Sequence, residues 1–498
     1  MFWTDEILIN RKGKEWINDA WTPSGMVHMG GMKGPIIHDV LYKVLKQKKA
    51  AVKFTFGFDD FDPIDGLPPS LKESHQKYMG VPIFIAPSPD GNGSFGDYFG
   101  NKMISLFKEL NVEAEIYKTS DEYKKGVYDK AIKLSLDNAD KIRKVYEEIN
   151  KKKMAEYWFP FQVICPKCGK LGTTRVVDWD GREVTFICEA QMVEWAKGCE
   201  HKGKITPFKG NGKMPFKVEW AAKWWTYGVT IEAAGKDHAS AGGTYDVARK
   251  ICKDVFKMDP PLKLPYEHFL SGGKKMASSK GIGLSAEELL ELVPPQIFRF
   301  LMIKTKPNQA VEFSPKGTDL FPKLYDDYQK TAATYFLKNN DDMARTFELS
   351  QIGKVEKPSS VRFSVLAQWV QMPNMEDEIK KEGLTDWAKF AINWVEKYAP
   401  EDEKFQIEKE LPEKIKELSP SQKEYLASIK EVLSEETDPE KIQLLIYSKA
   451  KEVNLSSKEA FSAVYTAFIG KDHGPKAGWL LANLDKEFIR KRLVDASS

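Results

Sequence analysis

The feature that most constrains this chain is a change of period between residues 28 and 58. From His28 to Lys46 the apolar residues Met32, Ile36, Ile37, Val40, Leu41, Val44 and Leu45 recur at helical spacing. The next run, AVKFTFGF (51–58), is apolar and β-rich, and it stops at the acidic turn DDFDP. A strand of that kind is buried on both faces, as in a parallel sheet. A shorter strand is predicted around Trp16–Trp21, ahead of the helix. Strand, helix, strand with short loops is the unit of a doubly wound α/β nucleotide-binding fold. A further helix is predicted over 97–110, after a Gly-rich loop at 90–96.

A chain of 498 residues, 42% hydrophobic and 30% charged, has ample core for several domains. Lysine-rich helical sequence (120–155) and a cysteine-bearing segment (about 160–205) interrupt the α/β pattern, which returns over 216–305. After Pro307 only helical periods remain, and Ser456 with Glu459 reads as a capping box. The expected organisation is therefore a Rossmann-type parallel-sheet catalytic domain in two halves, 1–110 and 216–319. Between them lies an inserted helical and zinc-binding region, 111–215, and an all-helical domain, 320–498, follows. The net charge of +3 announces no bulk nucleic-acid binder, so any RNA contact must come from local patches. No apolar run has the length of a membrane span, and the N-terminus lacks the pattern of a signal peptide, so a cytoplasmic location is expected.

Two loops carry chemistry. TPSGMVHMGG (22–31) frames a histidine with Pro23, Ser24, Gly25 and Gly30 where a strand gives way to a helix. Glycines allow close backbone approach, a helix N-terminus favours anions, and an imidazole there can donate to a phosphoryl oxygen. KKMASSKG (274–281) sets Lys274, Lys275 and Lys280 with Ser278 and Ser279 among glycines, a composition suited to pyrophosphate. Either loop alone reads as readily as an ordinary turn or a solvated basic loop.

Taken together the pair is far more specific. TPSGMVHMGG resembles the HIGH signature of class I aminoacyl-tRNA synthetases, and KMASSKG resembles their KMSKS loop. More narrowly, the chain is similar to the class I lysyl-tRNA synthetase family. The further matches are FDDFDPI, GVPIFIAPSPDG with SFGDYF, VEWAAKWW, GKDHASAGGTYD and PYEHFLSGGKKM, which cover most of 15–300 in the family's order.

The resemblance implies activation of L-lysine with ATP and Mg²⁺ to lysyl-adenylate, then transfer to the 3′ end of tRNA(Lys). It assigns His28, Lys275 and Lys280 to catalysis. The nucleotide falls to Pro23, Ser24, Gly25, His28, Gly30, Lys275, Met276, Ser278, Ser279 and Lys280. It assigns lysine binding to Thr22, Phe216 or Trp220, His238 and Tyr266. The carboxylates Asp59, Asp60, Asp62 and Asp237 are candidates for the ammonium groups, Asp60 foremost. The helical C-terminal domain is the anticodon reader by analogy. Ala20, Gly31, Phe216 and Ala277 depart from the family's pattern, but none removes a charged or proton-bearing group. A class I synthetase for another amino acid, and a catalytically idle tRNA-binding paralogue, are the alternatives.

Cys165-Pro-Lys-Cys168 is a knuckle-like CxxC turn, with Cys188, Cys199 and His201 nearby. A structural Zn²⁺ takes four S or N ligands. Spacing leaves the second pair open among Cys188, Cys199 and His201, and the all-cysteine set is preferred, with His201 as the alternate. Cys252 is expected in a helix core, as are at least two tryptophans of WAAKWW.

Overall fold

The structure is a computed structural model, and it describes all residues except 12, 152, 277–282, 340 and 434–435. The apolar runs form a five-stranded parallel sheet. Strand β1 (Lys14–Trp21) leads through helix α1 (Lys33–Gln47) to β2 (Ala51–Phe58), and helix α2 (Phe95–Glu109) leads to β3 (Glu115–Lys118). After a long insertion come helix α3 (Phe216–Tyr227), β4 (Ile231–Gly235), helix α4 (Thr244–Asp254) and β5 (Leu262–Tyr266). The spatial order is β5-β4-β1-β2-β3. β1 pairs with β2 over its whole length, from Lys14 opposite Ala51 to Trp21 opposite Phe58. The order reverses between β1 and β4, the switch point at which open sheets of this type bind ligands.

The helical period was read correctly in α1, where Ile36, Ile37, Val40, Leu41, Val44 and Leu45 are fully buried. The α-helix begins later than its period does. Residues Met29–Met32 form a 3₁₀ turn with His28 as its N-cap, because the glycine pair 30–31 favours the tighter turn over a regular helix. α2 starts at Phe95, fixed by a capping box of Ser94 and Asp97.

Two boundaries differ from expectation. The sheet continues past residue 110, since β3 pairs with β2 from Thr55 opposite Glu115 to Phe58 opposite Lys118. Residues 334–355 also belong to the compact unit of the sheet, which takes in 1–290 and 295–314 as well. The physical reason is buried Arg299. Its guanidinium pairs with Asp39 at 2.7 Å and donates to the carbonyls of Leu110 and Leu349, so helix Asp342–Ser350 is tied to that core.

The insertion carries helices Thr119–Lys125, Asp129–Asp137 and Ala139–Asn150. An antiparallel sheet of Thr174–Trp179, Val184–Cys188 and Lys202–Ile205 follows them. Its core is continuous with α3 and α4, where Trp220, Trp224 and Cys252 are buried. The second compact unit (291–294, 315–333 and 356–498) is helical. It includes helix Ser457–Ile469 with the expected Ser456/Glu459 capping box, and its core holds Tyr325 stacked on Phe363 at 3.9 Å. Among the described residues no helix is long and apolar enough to cross a membrane.

Candidate active site

A cavity of about 260 Å³ opens at the carboxyl ends of β1, β4 and β5. Small-molecule sites run from roughly 300 Å³ upward, so this space suits an amino acid better than a whole nucleotide. His28, Gly30 and Lys275 stand along its wall with Asp19, Trp220, Glu232, His238 and Tyr266.

The first loop is joined by main-chain atoms to the segment that follows the second. Met29 N–H donates to Leu284 O, and Ala286 N–H donates to Val27 O, both at 2.9 Å. His28 thus lies in an antiparallel bridge with Ser285, just beyond the lysine loop. Its Nδ1 accepts the Gly31 N–H at 3.1 Å. Burial, then the Lys275 ammonium and His268, push its pKa down to about 4. The ring is therefore neutral at pH 7, with its proton on Nε2, a donor without a positive charge. Gly30 is needed for close approach, since a Cβ there would stand 3.2 Å from His28 Nδ1 and 3.3 Å from Phe269 Cβ.

Lys275 reaches the cavity from a small sheet in which β6 (Phe269–Ser271) pairs with β7 (Lys274–Lys275) and with β8 (Val311–Glu312). The β6–β7 hairpin turns on Gly272 and Gly273, at φ +58° and +72°, a turn that glycine adopts without strain. The Lys275 ammonium is held by Asp237, whose other oxygen contacts His268 Nε2 at 2.8 Å. Met276 is 1% exposed and packs against Gly283, so its side chain belongs to the core. Ala277, Ser278, Ser279 and Lys280 lie outside the described residues.

Trp220, His238 and Tyr266 come together as the sequence suggested, and Phe216 joins them, its ring 5.3 Å from Trp220. Thr22 and Ser24 line a separate groove, where Thr22 Oγ1 donates to Asp62 at 2.9 Å. Pro23 and Gly25 also lie outside the cavity wall.

The acidic candidates divide sharply. Asp60, expected to meet the substrate, instead accepts the Ser120 N–H and hydroxyl at 2.8 and 2.7 Å, and it is absent from the cavity wall. Burial raises its pKa to about 6 despite those bonds. Asp59 is paired with buried Lys223, and Asp62 with buried Lys213. Glu219 links the two lysines at 3.3 and 3.1 Å and accepts from Tyr123 Oη at 2.7 Å.

Sequence reasoning missed Asp19, Lys223, Glu232 and His268. The signal was present for Glu232, the one charge in the strand IEAAG, where a charge needs a reason; Asp19 sits in KEWINDAW among Lys14, Glu15 and Asn18, where one more polar residue does not stand out.

Away from the cavity, the Sγ atoms of Cys165, Cys168, Cys188 and Cys199 lie within 4.8 Å of one another. Cys165–Cys199 is 3.6 Å and Cys168–Cys188 is 3.7 Å. A tetrahedron with Zn–S bonds of about 2.3 Å has S···S edges of about 3.8 Å, so the four thiols fit zinc. The His201 ring packs on Phe186 and is not one of the group.

A family model described as "tRNA synthetases class I (K)" matches residues 3–353. A lysine–tRNA ligase of Thermoplasma acidophilum is 33% identical over 99% of this chain and 98% of its own length. One of Archaeoglobus fulgidus is 32% identical over the whole of both. Among solved structures, a glutamate-tRNA synthetase from Elizabethkingia anophelis aligns over 97% of this chain and 99% of its own, with a TM-score of 0.48 and 13% identity. With a switch-point cavity lined by His28, Gly30 and Lys275, and relatives alike from end to end, the chain belongs to the class I (K) tRNA synthetase family.

Proposed function

We propose that the chain is a lysine–tRNA ligase, forming lysyl-adenylate from L-lysine and ATP and passing the lysyl group to the 3′ end of tRNA(Lys). The observation that carries this reading is the single cavity shared by His28, Lys275 and an acidic, aromatic wall. The full-length likeness to lysine–tRNA ligases supports the choice of amino acid. An ammonium on a long apolar stem wants carboxylates at one end and rings along its length. Trp220, Phe216 and Tyr266 supply the rings.

In the reaction the lysine carboxylate attacks the α-phosphorus and pyrophosphate leaves. The neutral His28 donates from Nε2–H to a phosphoryl oxygen as charge builds. Lys275 exchanges its contact with Asp237 for the pyrophosphate, and Lys280, Ser278 and Ser279 complete that contact by analogy. No covalent bond to the protein is needed, so catalysis is positioning and charge stabilisation. Mg²⁺ accompanies ATP and adds positive charge to the phosphates. Zn²⁺ held by Cys165, Cys168, Cys188 and Cys199 would be structural. The helical second unit is the expected contact for the anticodon.

Amino-acid-dependent ATP–pyrophosphate exchange, followed by charging of total tRNA, tests the reading. Exchange with lysine and lysylation of tRNA are expected. Exchange with another amino acid but not lysine would replace the substrate, and absence of any exchange would leave a tRNA-binding paralogue.

A further inference from the structure

We propose that Asp19, backed by Glu232, forms the subsite for the side-chain ammonium of the amino-acid substrate. The inference deepens the lysine reading and rests on it.

The argument begins with the carboxylates that are already satisfied. Asp59 and Glu219 share Lys223, Asp62 holds Lys213, Asp60 is bound by Ser120, and Asp237 holds Lys275. Asp19 and Glu232 remain, and among the described residues neither pairs with a lysine or an arginine. Both line the cavity at the switch point, on neighbouring strands β1 and β4.

Glu232 is 2% exposed. It accepts from Trp220 Nε1 at 2.7 Å, Trp224 Nε1 at 2.8 Å and Asn18 Nδ2 at 3.2 Å. These neutral donors orient the carboxyl group but bring no positive charge. Asp19 Oδ1 accepts the Ala20 N–H at 2.9 Å, while Oδ2 is buried without a hydrogen-bond donor. The nearest ring nitrogen, His38 Nδ1, stands 3.3 Å from Oδ2. His38 Nε2 accepts the Ala233 N–H at 2.8 Å, so the ring proton is on Nδ1, and it is directed to Gly34 O at 2.8 Å. A side chain at Gly34 would begin 2.7 Å from Tyr266 Oη and 3.3 Å from Asp19 Oδ2, so both oxygens face a position kept bare.

Two buried carboxyl groups with no lysine or arginine beside them, and only the His38 ring as a basic neighbour, are costly, and burial together with the facing Asp19 raises Glu232 to about 7. A ligand ammonium removes that cost, with Trp220 and Tyr266 beside it to wall the stem. A neutral side chain of equal length leaves the carboxyls as they were, and an acidic one adds a third negative charge.

The test is ATP–pyrophosphate exchange by wild type and Asp19→Asn, with lysine as substrate and L-norleucine, which lacks the ammonium, as competitive inhibitor. Asparagine keeps the acceptor for the Ala20 N–H. The lysine KM is expected to rise roughly 10- to 150-fold, as for loss of a charge-assisted hydrogen bond, with the norleucine Ki and the ATP KM little changed. Asp19→Ser supplies the same comparison if the asparagine variant does not fold. A lysine KM unchanged in either variant, or lysine and norleucine weakened alike, overturns the subsite. Wild type that exchanges with no lysine at all overturns the lysine reading itself, which the variants cannot do.

Discussion

Lys223→Met replaces a buried ammonium by a thioether of similar shape at the floor of the cavity. The side chains of Lys223, Asp59 and Glu219 are 3%, 5% and 1% exposed, so solvent screens little of what is lost. Removing one partner of a buried ion pair costs about 3–5 kcal/mol, because the charges left behind are uncompensated. At about 2 °C per kcal/mol for a unit of this size, the melting temperature should fall by roughly 6–10 °C. The loss should depend on pH in a stated direction. In the native chain burial opposes ionisation of Asp59, but the Lys223 and Lys213 ammoniums overcome it and hold the pKa below the ordinary value. Asp59 therefore stabilises the fold above the unfolded carboxylate pKa, and this contribution is lost only as pH falls through the lower folded value. Without Lys223 burial acts with less opposition and the folded pKa rises, so the variant is relieved by protonation. The gap between wild type and variant should be widest near pH 7.5 and narrow toward pH 5. Differential scanning calorimetry at several pH values measures this. A gap under about 1 °C at pH 7.5, or one that widens on acidification, would refute the argued role of the pair.

Four other outcomes are expected. His28→Ala should slow adenylate formation by about 10²–10³-fold, the size of one lost donor to developing charge, with the lysine KM largely kept; near-normal pre-steady-state adenylation would remove the role. Because burial, Lys275 and His268 hold His28 near 4, wild-type exchange should show no loss from His28 protonation between pH 8 and 6, and a step there that vanishes in His28→Gln would contradict the neutral tautomer. One zinc per chain should be found by elemental mass spectrometry, with Cys168→Ser reducing it and His201→Ala leaving it intact. Gly34→Ala should raise the lysine KM by crowding Tyr266 Oη and Asp19 Oδ2, without moving the ATP KM; unchanged lysine kinetics would show that this wall yields.

The sheet was legible from β2, a largely apolar run, and α1 because Ile36, Ile37, Val40, Leu41, Val44 and Leu45 keep a single face. β3 was hidden: EIYK is four residues long and half polar, which suits an edge strand with little burial. Residues 334–355 could not be assigned to the first unit from sequence, since their attachment passes through Arg299, a charge in an apolar helix whose partners lie up to 260 positions away. At the site, the resemblance named His28, Lys275, Trp220, His238 and Tyr266, and all five line one cavity. The acidic turn DDFDP drew attention away from Asp19, because sequence cannot say which carboxylates already have a lysine. That depended on Lys213 and Lys223, contributed from the end of the insertion and from α3.

The bonds joining residues 27–29 to 284–286 use peptide groups alone. Every amino acid but proline brings the same donor, so the pairing itself asks nothing of side-chain chemistry, and only the burial of Val27, Met29, Leu284 and Ala286 restricts their size. The alignment of the two segments is thereby insulated from replacements that keep those apolar volumes. Its vulnerability lies in the backbone: proline at Met29 or Ala286 removes a donor of the ladder.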